Sequence, residues 1–288
     1  MKFTRPIFEL IPERTSWRSY AKTPVEVETL RKIEGFLGGL PKGPFGSDLR
    51  FLLSVTGGED AETLKKLGTY GMIRNNFGFV VGAVRDTGKG LEDYGHAMEA
   101  VVLYLTDLGL GTCWLGGTFN KSGFAARIGA KEGETVPAVL AFGLRTARRG
   151  AIDAVVRLGA GSRKRLPFES LFFSPDFSRP LSENRPEPWI KSLEMVRLGP
   201  SASNKQPWRM VASPDGREFH LFLERTPGYG EKNLKFFGMA DMQRLDMGIA
   251  MRHFELAQAE QDIHGEWVIC PPGFDFGKRE YVVTWKAL

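Results

Sequence analysis

Cysteine and histidine are scarce in this chain. Two cysteines in 288 residues, Cys113 and Cys270, rule out a disulfide framework, and they sit at no metal-ligand spacing. The four histidines offer no ligand pair either; His253, inside a helical stretch, reads as a satisfied core or interface residue. No apolar run approaches a membrane span, the longest strong one being about Ala100 to Leu105. The start, Met1-Lys-Phe-Thr-Arg-Pro6, lacks an apolar segment followed by a cleavage site, so no signal peptide is expected and cytoplasm is the default. No Gly-x-Gly-x-x-Gly follows a strand, and no Ser/His/Asp order or carboxylate pair points to hydrolysis. The charge excess is modest at +5, from 39 basic and 34 acidic residues. The cluster Arg145 to Arg149, Arg157 and Arg163 to Arg165 accounts for it, without the aromatic interleaving of a nucleic-acid surface. A phosphate group suits such a cluster as well as solvent does.

With 42% hydrophobic and 25% charged residues, an ordinary globular protein with a sizeable core remains. A helix is expected over about 24–37, opened by a capping box at Thr23-Pro-Val-Glu26 and carrying Val27, Leu30, Ile33 and Leu37 at helical spacing. Gly38-Gly39 ends it. A strand at 49–55, a short helix near 61–67 and a strand at 79–84 follow. A long helix over about 92–108 is too apolar all round for a surface element. After Gly109-Leu-Gly-Thr-Cys-Trp-Leu-Gly-Gly117 comes a strand at 136–142.

The order then recurs. A helix carrying Trp189, Leu193 and Val196 closes on Gly199 as the earlier one closes on Gly39, an offset of 160. A second long helix, about 242–260, aligns with the first at an offset of 153. Asp93 and Asp246, Gly95 and Gly248, Ala97 and Ala250, Met98 and Met251, and Trp114 and Trp267 match in pairs. Matching element order with these identities indicates one unit written twice, with boundaries near 1–170 and 171–288.

Between the second unit's first helix and a short strand at 209–212 lies Pro200-Ser-Ala-Ser-Asn-Lys-Gln-Pro-Trp208. So many small hydroxyl and amide groups in one turn need partners, from backbone or from a polar ligand. At the 160 offset the first unit has Leu40 to Asp48, with no asparagine, glutamine or tryptophan. Conversely, Arg14, Ser16 and Arg18 map onto Ser174, Asp176 and Ser178, which carry no cation. Each unit keeps what the other lacks.

The nine-residue string resembles the flavin-facing loop of the nitroreductase family, with Phe254 to Glu260 and Leu108 to Gly117 as further matches. Over about Arg14 to Trp267 the chain is similar to the family's tandem, pseudo-dimeric single-chain branch. The resemblance implies an α+β nitroreductase-like fold, a mostly antiparallel sheet wrapped by helices, with two degenerate copies packed against each other. It implies FMN as cofactor and NAD(P)H as transient co-substrate. Hydride would pass in ping-pong fashion through flavin N5 to a small nitro- or quinone-like acceptor.

Residue by residue, Arg14, Thr15 and Ser16 match the family's N-terminal phosphate and ribityl contacts. Arg18 matches a cation that stabilises charge on the reduced ring; no side chain is assigned to catalysis beyond that electrostatic role. Leu115, Gly116 and Gly117 match backbone that passes the ring, and Arg163 and Arg165 match the late basic pair on the phosphate. Pro200, Ser201, Ala202, Ser203 and Asn204 would reach the ribityl chain and ring edge, with Gln206 and Trp208 bracing the loop. Tyr70 falls near a further family contact. Taken without the resemblance, Arg14 to Arg18 is a basic stretch ahead of a helix and reads as a solvated face. The same features also admit a flavin- or small-ligand-binding protein without turnover, or another family chemistry such as reductive dehalogenation or flavin fragmentation. The single chain is expected to complete the site as a monomer, with small-molecule substrates and neither nucleic acid nor membrane as partner.

Overall fold

The computed structural model describes residues 2–55, 73–85, 88–117, 119–146, 164–229 and 239–288. An unanticipated helix α1 (Ile7–Glu13) comes first, and α2 (Val27–Gly38) follows. The capping box does not form: α2 begins three residues later than expected, with Glu26 at its N-cap and no side-chain cap. Proline at 24 therefore precedes the helix instead of opening it.

The first sheet holds β1 (Leu49–Val55), β2 (Gly78–Arg85), β3 (Leu110–Leu115), a two-residue β4 (Glu134–Thr135) and β5 (Val139–Leu144), with helix α3 (Gly90–Asp107) between β2 and β3. Its path is β1-β2-β5-β3, all antiparallel, and β4 pairs with β2. The motif ending at Gly117 thus forms a strand, and the strand expected at 136–142 begins at Val139. Helix α4 (Lys121–Ile128), also unanticipated, opens with Asn120 accepting from Gly123 N. The short helix expected near 61–67 lies outside the described residues. Strand β2 is buried on both faces because neighbours cover it on both. Phe79, Val81 and Ala83 pack with Phe124 of α4, whereas Val80 and Val84 pack with Tyr94, Met98 and Val101 of α3.

The second sheet holds β6 (Phe172–Phe173), β7 (Trp208–Ala212), β8 (Glu218–Leu223), β9 (Gly265–Val268) and β10 (Glu280–Ala287). Its path is β6-β7-β8-β10-β9, in which only the β6–β7 pairing is parallel. Helix α5 (Trp189–Arg197) precedes β7, and α6 (Met242–Ala259) joins β8 to β9. The Asp241 carboxylate caps α6 by accepting from Gln243 N and Arg244 N. Apart from β4 and β6, both sheets place their strands in the same spatial order: first, second, fourth, third. In both, a long helix links the second strand to the third.

Helices α3 and α6 pack against each other between the sheets, which is why polar residues such as Glu99, His96 and His253 are buried in them. Two glycines permit the close approach. A Cβ on Gly95 would overlap the Leu245 carbonyl oxygen, and one on Gly248 would overlap that of Glu92. Since 95 corresponds to 248 and 92 to 245 at the 153 offset, these contacts are reciprocal, as at an isologous interface. The cores interlock too. Leu245 and Ile249 of α6 join the first sheet's core, and Phe45, from the loop after α2, packs on the second sheet's core.

Candidate functional site

The loop after α5 is held from several sides. Ser201 Oγ accepts from Gln206 N at 2.8 Å, and the Asp246 carboxylate accepts from Ala202 N at 2.9 and 3.2 Å. Gln206 Oε1 accepts from Leu166 N at 2.9 Å, while its Nε2 donates to Asn204 O at 3.2 Å. Trp208 is fully buried at the start of β7. Gln206 therefore braces the loop, while Trp208 belongs to the second sheet's core. The backbone that results is costly: Ser203, Asn204 and Gln206 have φ of 50°, 55° and 50°, a left-handed region worth roughly 1 kcal/mol or more per non-glycine residue. Strain of this kind persists where surrounding contacts over-determine it.

Residues 16 and 17 run beside β3. Ser16 bridges Thr112 in parallel, Trp17 N donates to Thr112 O at 2.8 Å, and the Trp17 ring lies where a side chain at 111 would sit, so Gly111 is required. Extended backbone alternates its side chains, and Ser16 and Arg18, two apart, both reach the same opening.

That opening is a cleft of about 330 Å³. From the first part of the chain come Ser16, Arg18, Trp114, Gly116 and Gly117. Pro200, Ser201, Ala202 and Ser203 come from the loop, and Tyr229 and Met239 from farther on. Met242, Leu245, Asp246 and Ile249 of α6 complete the wall, at the spacing of one helical face. The ends of the Met239 and Met242 side chains rest against Gly117 and Gly116, in space a Cβ would occupy. Asp246 is 1% exposed, and burial raises its pKa well above the usual carboxylate range, countered in part by the Ala202 N–H. Burial raises the Tyr229 pKa as well; its hydroxyl is 3.4 Å from Ser203 Oγ.

The other expected contacts stand outside the lining. Leu115 is buried on β3, and Thr15 is half-buried between Arg14 and Ser16. The Asn204 side chain turns to the connector that precedes β6: Arg165 Nη1 donates to its Oδ1 at 2.9 Å, and its Nδ2 donates to Lys164 O at 2.8 Å. Arg165 Nη2 donates to Leu198 O at 3.0 Å. Arg14 is buried with Nε lacking a hydrogen-bond partner, 4.0 Å from Glu99 Oε1. Burial lowers the Arg14 pKa, and burial, Arg14 and Arg197 together lower that of Arg165 to about 10. Glu99 counters the Arg14 shift in part, and Glu194 that of Arg165. Tyr70 and Arg163 lie outside the described residues.

Behind Trp114, its Nε1 donates to Glu99 Oε2 at 2.8 Å. His253 meets Glu99 through Nε2 and Met195 O through Nδ1, each at 2.9 Å, so it is a satisfied buried histidine as expected. Among the described residues no group of three His, Cys, Asp or Glu could hold a metal.

A family model described as "Putative TM nitroreductase" matches residues 6–258. The chain belongs to this nitroreductase family. Among solved structures, the putative nitroreductase of Thermotoga maritima superposes on this nitroreductase-family chain with a TM-score of 0.60 at 20% identity, covering 100% of it and 95% of the other. An oxidoreductase containing FMN superposes at a TM-score of 0.48 and 19% identity over 61% of this chain and 95% of its own. A putative nitroreductase in complex with FMN from Desulfovibrio desulfuricans does so at 0.40 and 21% over 52% and 95%. Among curated proteins no match is found.

Sequence reasoning missed the α6 face and Tyr229. Met242, Leu245 and Ile249 carry the same apolar signature as core residues, and Asp246 stood out only by its match with Asp93. That match carries a shared duty. Asp93 accepts from Phe45 N and Ser47 N at 3.0 and 2.9 Å, so each aspartate pins the loop ahead of its own sheet.

Proposed function

We propose that this protein is an FMN-dependent oxidoreductase of nitroreductase type, taking reducing equivalents from NAD(P)H and passing them to a small organic acceptor in ping-pong fashion. The observation that carries the reading is the convergence of Ser16, Arg18, Gly116, Gly117 and Pro200 to Ser203 on one cleft, though 184 residues separate Ser16 from Pro200 (200 minus 16).

The residues present fit the group. Arg14, with a buried Nε that lacks a hydrogen-bond partner, and Arg165, whose pKa the Arg14 charge lowers, are two cations that a dianionic phosphate would stabilise. Ser16, Ser201 and Ser203 bring hydroxyls to the cleft for a polyol chain, and at Gly116 and Gly117 only the flexible ends of Met242 and Met239 would have to move for a flat ring to reach the backbone. Bound FMN would supply hydride acceptance and release. The chain's own residues then bind and orient. Arg18 places a cation where it stabilises negative charge, and the α6 face supplies apolar wall that excludes water. Asp246 holds a proton to higher pH than an exposed aspartate does, which gives the cleft a buried acid.

The repeated strand order and the reciprocal glycines support reading the chain as two copies of one unit, 1–170 and 171–288, with the retained site between them. On this reading a monomer completes the site. Phe45 packs on the second core with Lys89 Nζ 5.5 Å from its ring centroid, which supports a counterpart position that is filled. No described helix is long and apolar enough to cross a membrane. A cytoplasmic enzyme acting on small molecules is the accompanying proposal.

The test is direct. Purified protein should absorb at the flavin band with one FMN per chain, and NADH or NADPH should bleach that band anaerobically. Protein that stays colourless after FMN is added ends the reading. Bound flavin that neither nucleotide reduces leaves a binding protein without turnover.

A further inference from the structure

We propose that Asn204 is a positioning residue for Arg165, and that the pair sets the site's preference for a phosphorylated over a neutral flavin. The inference rests on the FMN reading above and deepens it. By resemblance Asn204 would touch the cofactor's ribityl chain or ring edge itself; its geometry points elsewhere.

The amide of Asn204 grips two consecutive residues of the connector. Its oxygen accepts from the Arg165 guanidinium at 2.9 Å, and its nitrogen donates to the Lys164 carbonyl at 2.8 Å. These partners fix the amide's orientation, because a flipped amide would set donor against donor and acceptor against acceptor. Arg165 Nη2 is held in turn by the Leu198 carbonyl at the end of α5. Two guanidinium nitrogens are thus anchored by neutral oxygens, which fix direction without cancelling charge.

The loop is built to keep this hold. Asn204 has φ 55°, and the Gln206 side chain closes the same assembly by accepting from Leu166 N and donating to Asn204 O. Lys164, Arg165 and Leu166 are consecutive, and all three are tied to the loop that lines the cleft. Asn204 directly follows Ser203 of the cleft lining, so the guanidinium it holds is tied to the end of that wall. A guanidinium fixed in direction recognises a phosphate monoester, and it does nothing for a flavin that ends in a hydroxyl.

FMN and riboflavin differ in that phosphate alone, so they separate the two roles. Their affinities should be measured by fluorescence titration on the full chain with Asn204→Gly, Arg165→Met and the double variant. Glycine suits the positive φ, so the loop keeps its backbone. Asn204→Gly should weaken FMN about tenfold, the worth of one hydrogen bond to a charged group, and change riboflavin by less than about twofold. Arg165→Met should follow the same pattern. The double variant should bind FMN no more weakly than Arg165→Met does, since the asparagine acts through the arginine. Equal losses for the two flavins, or additive losses in the double variant, would overturn the positioning role and return Asn204 to direct contact. A folded wild-type chain that binds neither flavin would overturn the cofactor reading and this role with it, a pattern distinct from the other two.

Discussion

Glu99 Oε1 lies 2.9 Å from His253 Nε2, joining the two long helices where both side chains are wholly buried. The other ring nitrogen faces the Met195 carbonyl, which only accepts, so Nδ1 carries a hydrogen. Glu99 also accepts from Trp114 on the cleft wall, so this seam contact is continuous with the site. His253→Ala strands a buried carboxylate and should cost about 3–5 kcal/mol in urea unfolding. A loss below about 1 kcal/mol would mean that Trp114 and Arg14 satisfy Glu99 without the histidine.

Gly248→Ala and Gly95→Ala test the approach of the helices. In each case the added methyl meets main-chain atoms of the facing helix, which cannot rotate aside as a side chain can. Each should lower stability by about 1–3 kcal/mol. Gly35→Ala, on the exposed side of α2 with open space around it, should instead raise stability by about 0.5–1 kcal/mol. Thermal melts of the three variants decide it. Gly248→Ala and Gly95→Ala variants as stable as wild type would refute a close crossing.

A pH dependence follows from Asp246. Its pKa in the folded chain is raised above the ordinary 3.8. Between those two values the folded state holds a proton that the unfolded state has released, so this residue's contribution to stability falls as pH rises. Asn cannot ionise, yet its carbonyl can still accept from Ala202 N. The stability of Asp246→Asn relative to wild type should therefore climb from about pH 4 upward and level off once the folded aspartate ionises. Urea midpoints at pH 4 and pH 8 give the slope. A flat difference would show that Asp246 ionises normally.

Much of this fold was legible from spacing. The two long helices, β1, β2 and β7 fall within a few residues of their expected bounds, because apolar periodicity and glycine punctuation report burial directly. Strand β3 did not announce itself: Gly111 is there to admit the Trp17 ring, a need set by a segment nearly a hundred residues earlier. The capping box at Thr23 failed because its pattern is local, whereas the start of α2 is not. Ser16, Arg18, Gly116 and Ser201, singled out by the resemblance, line one cleft. Which way Asn204 turns was not legible, since that depends on where the connector at 164–166 lies in space.

Assembly supplies the last test. An α3–α6 crossing within one molecule accompanies a cleft that gathers Ser16, Arg18, Gly116 and Gly117 with the loop at 200–203, without a second chain. A covalently joined partner is present at an effective concentration that dilution cannot lower, of about millimolar order for short connections. If the site needed two chains, flavin affinity would fall as the protein was diluted below its dimer dissociation constant. With the site complete in one chain, FMN stoichiometry and affinity should stay constant on dilution, even where the protein self-associates through another surface. Sedimentation velocity monitored at the flavin band measures both quantities together, because bound flavin sediments with the species that holds it. Flavin should travel with the monomer at every concentration. Flavin release that tracks dissociation of a larger species would place part of the site on a second chain.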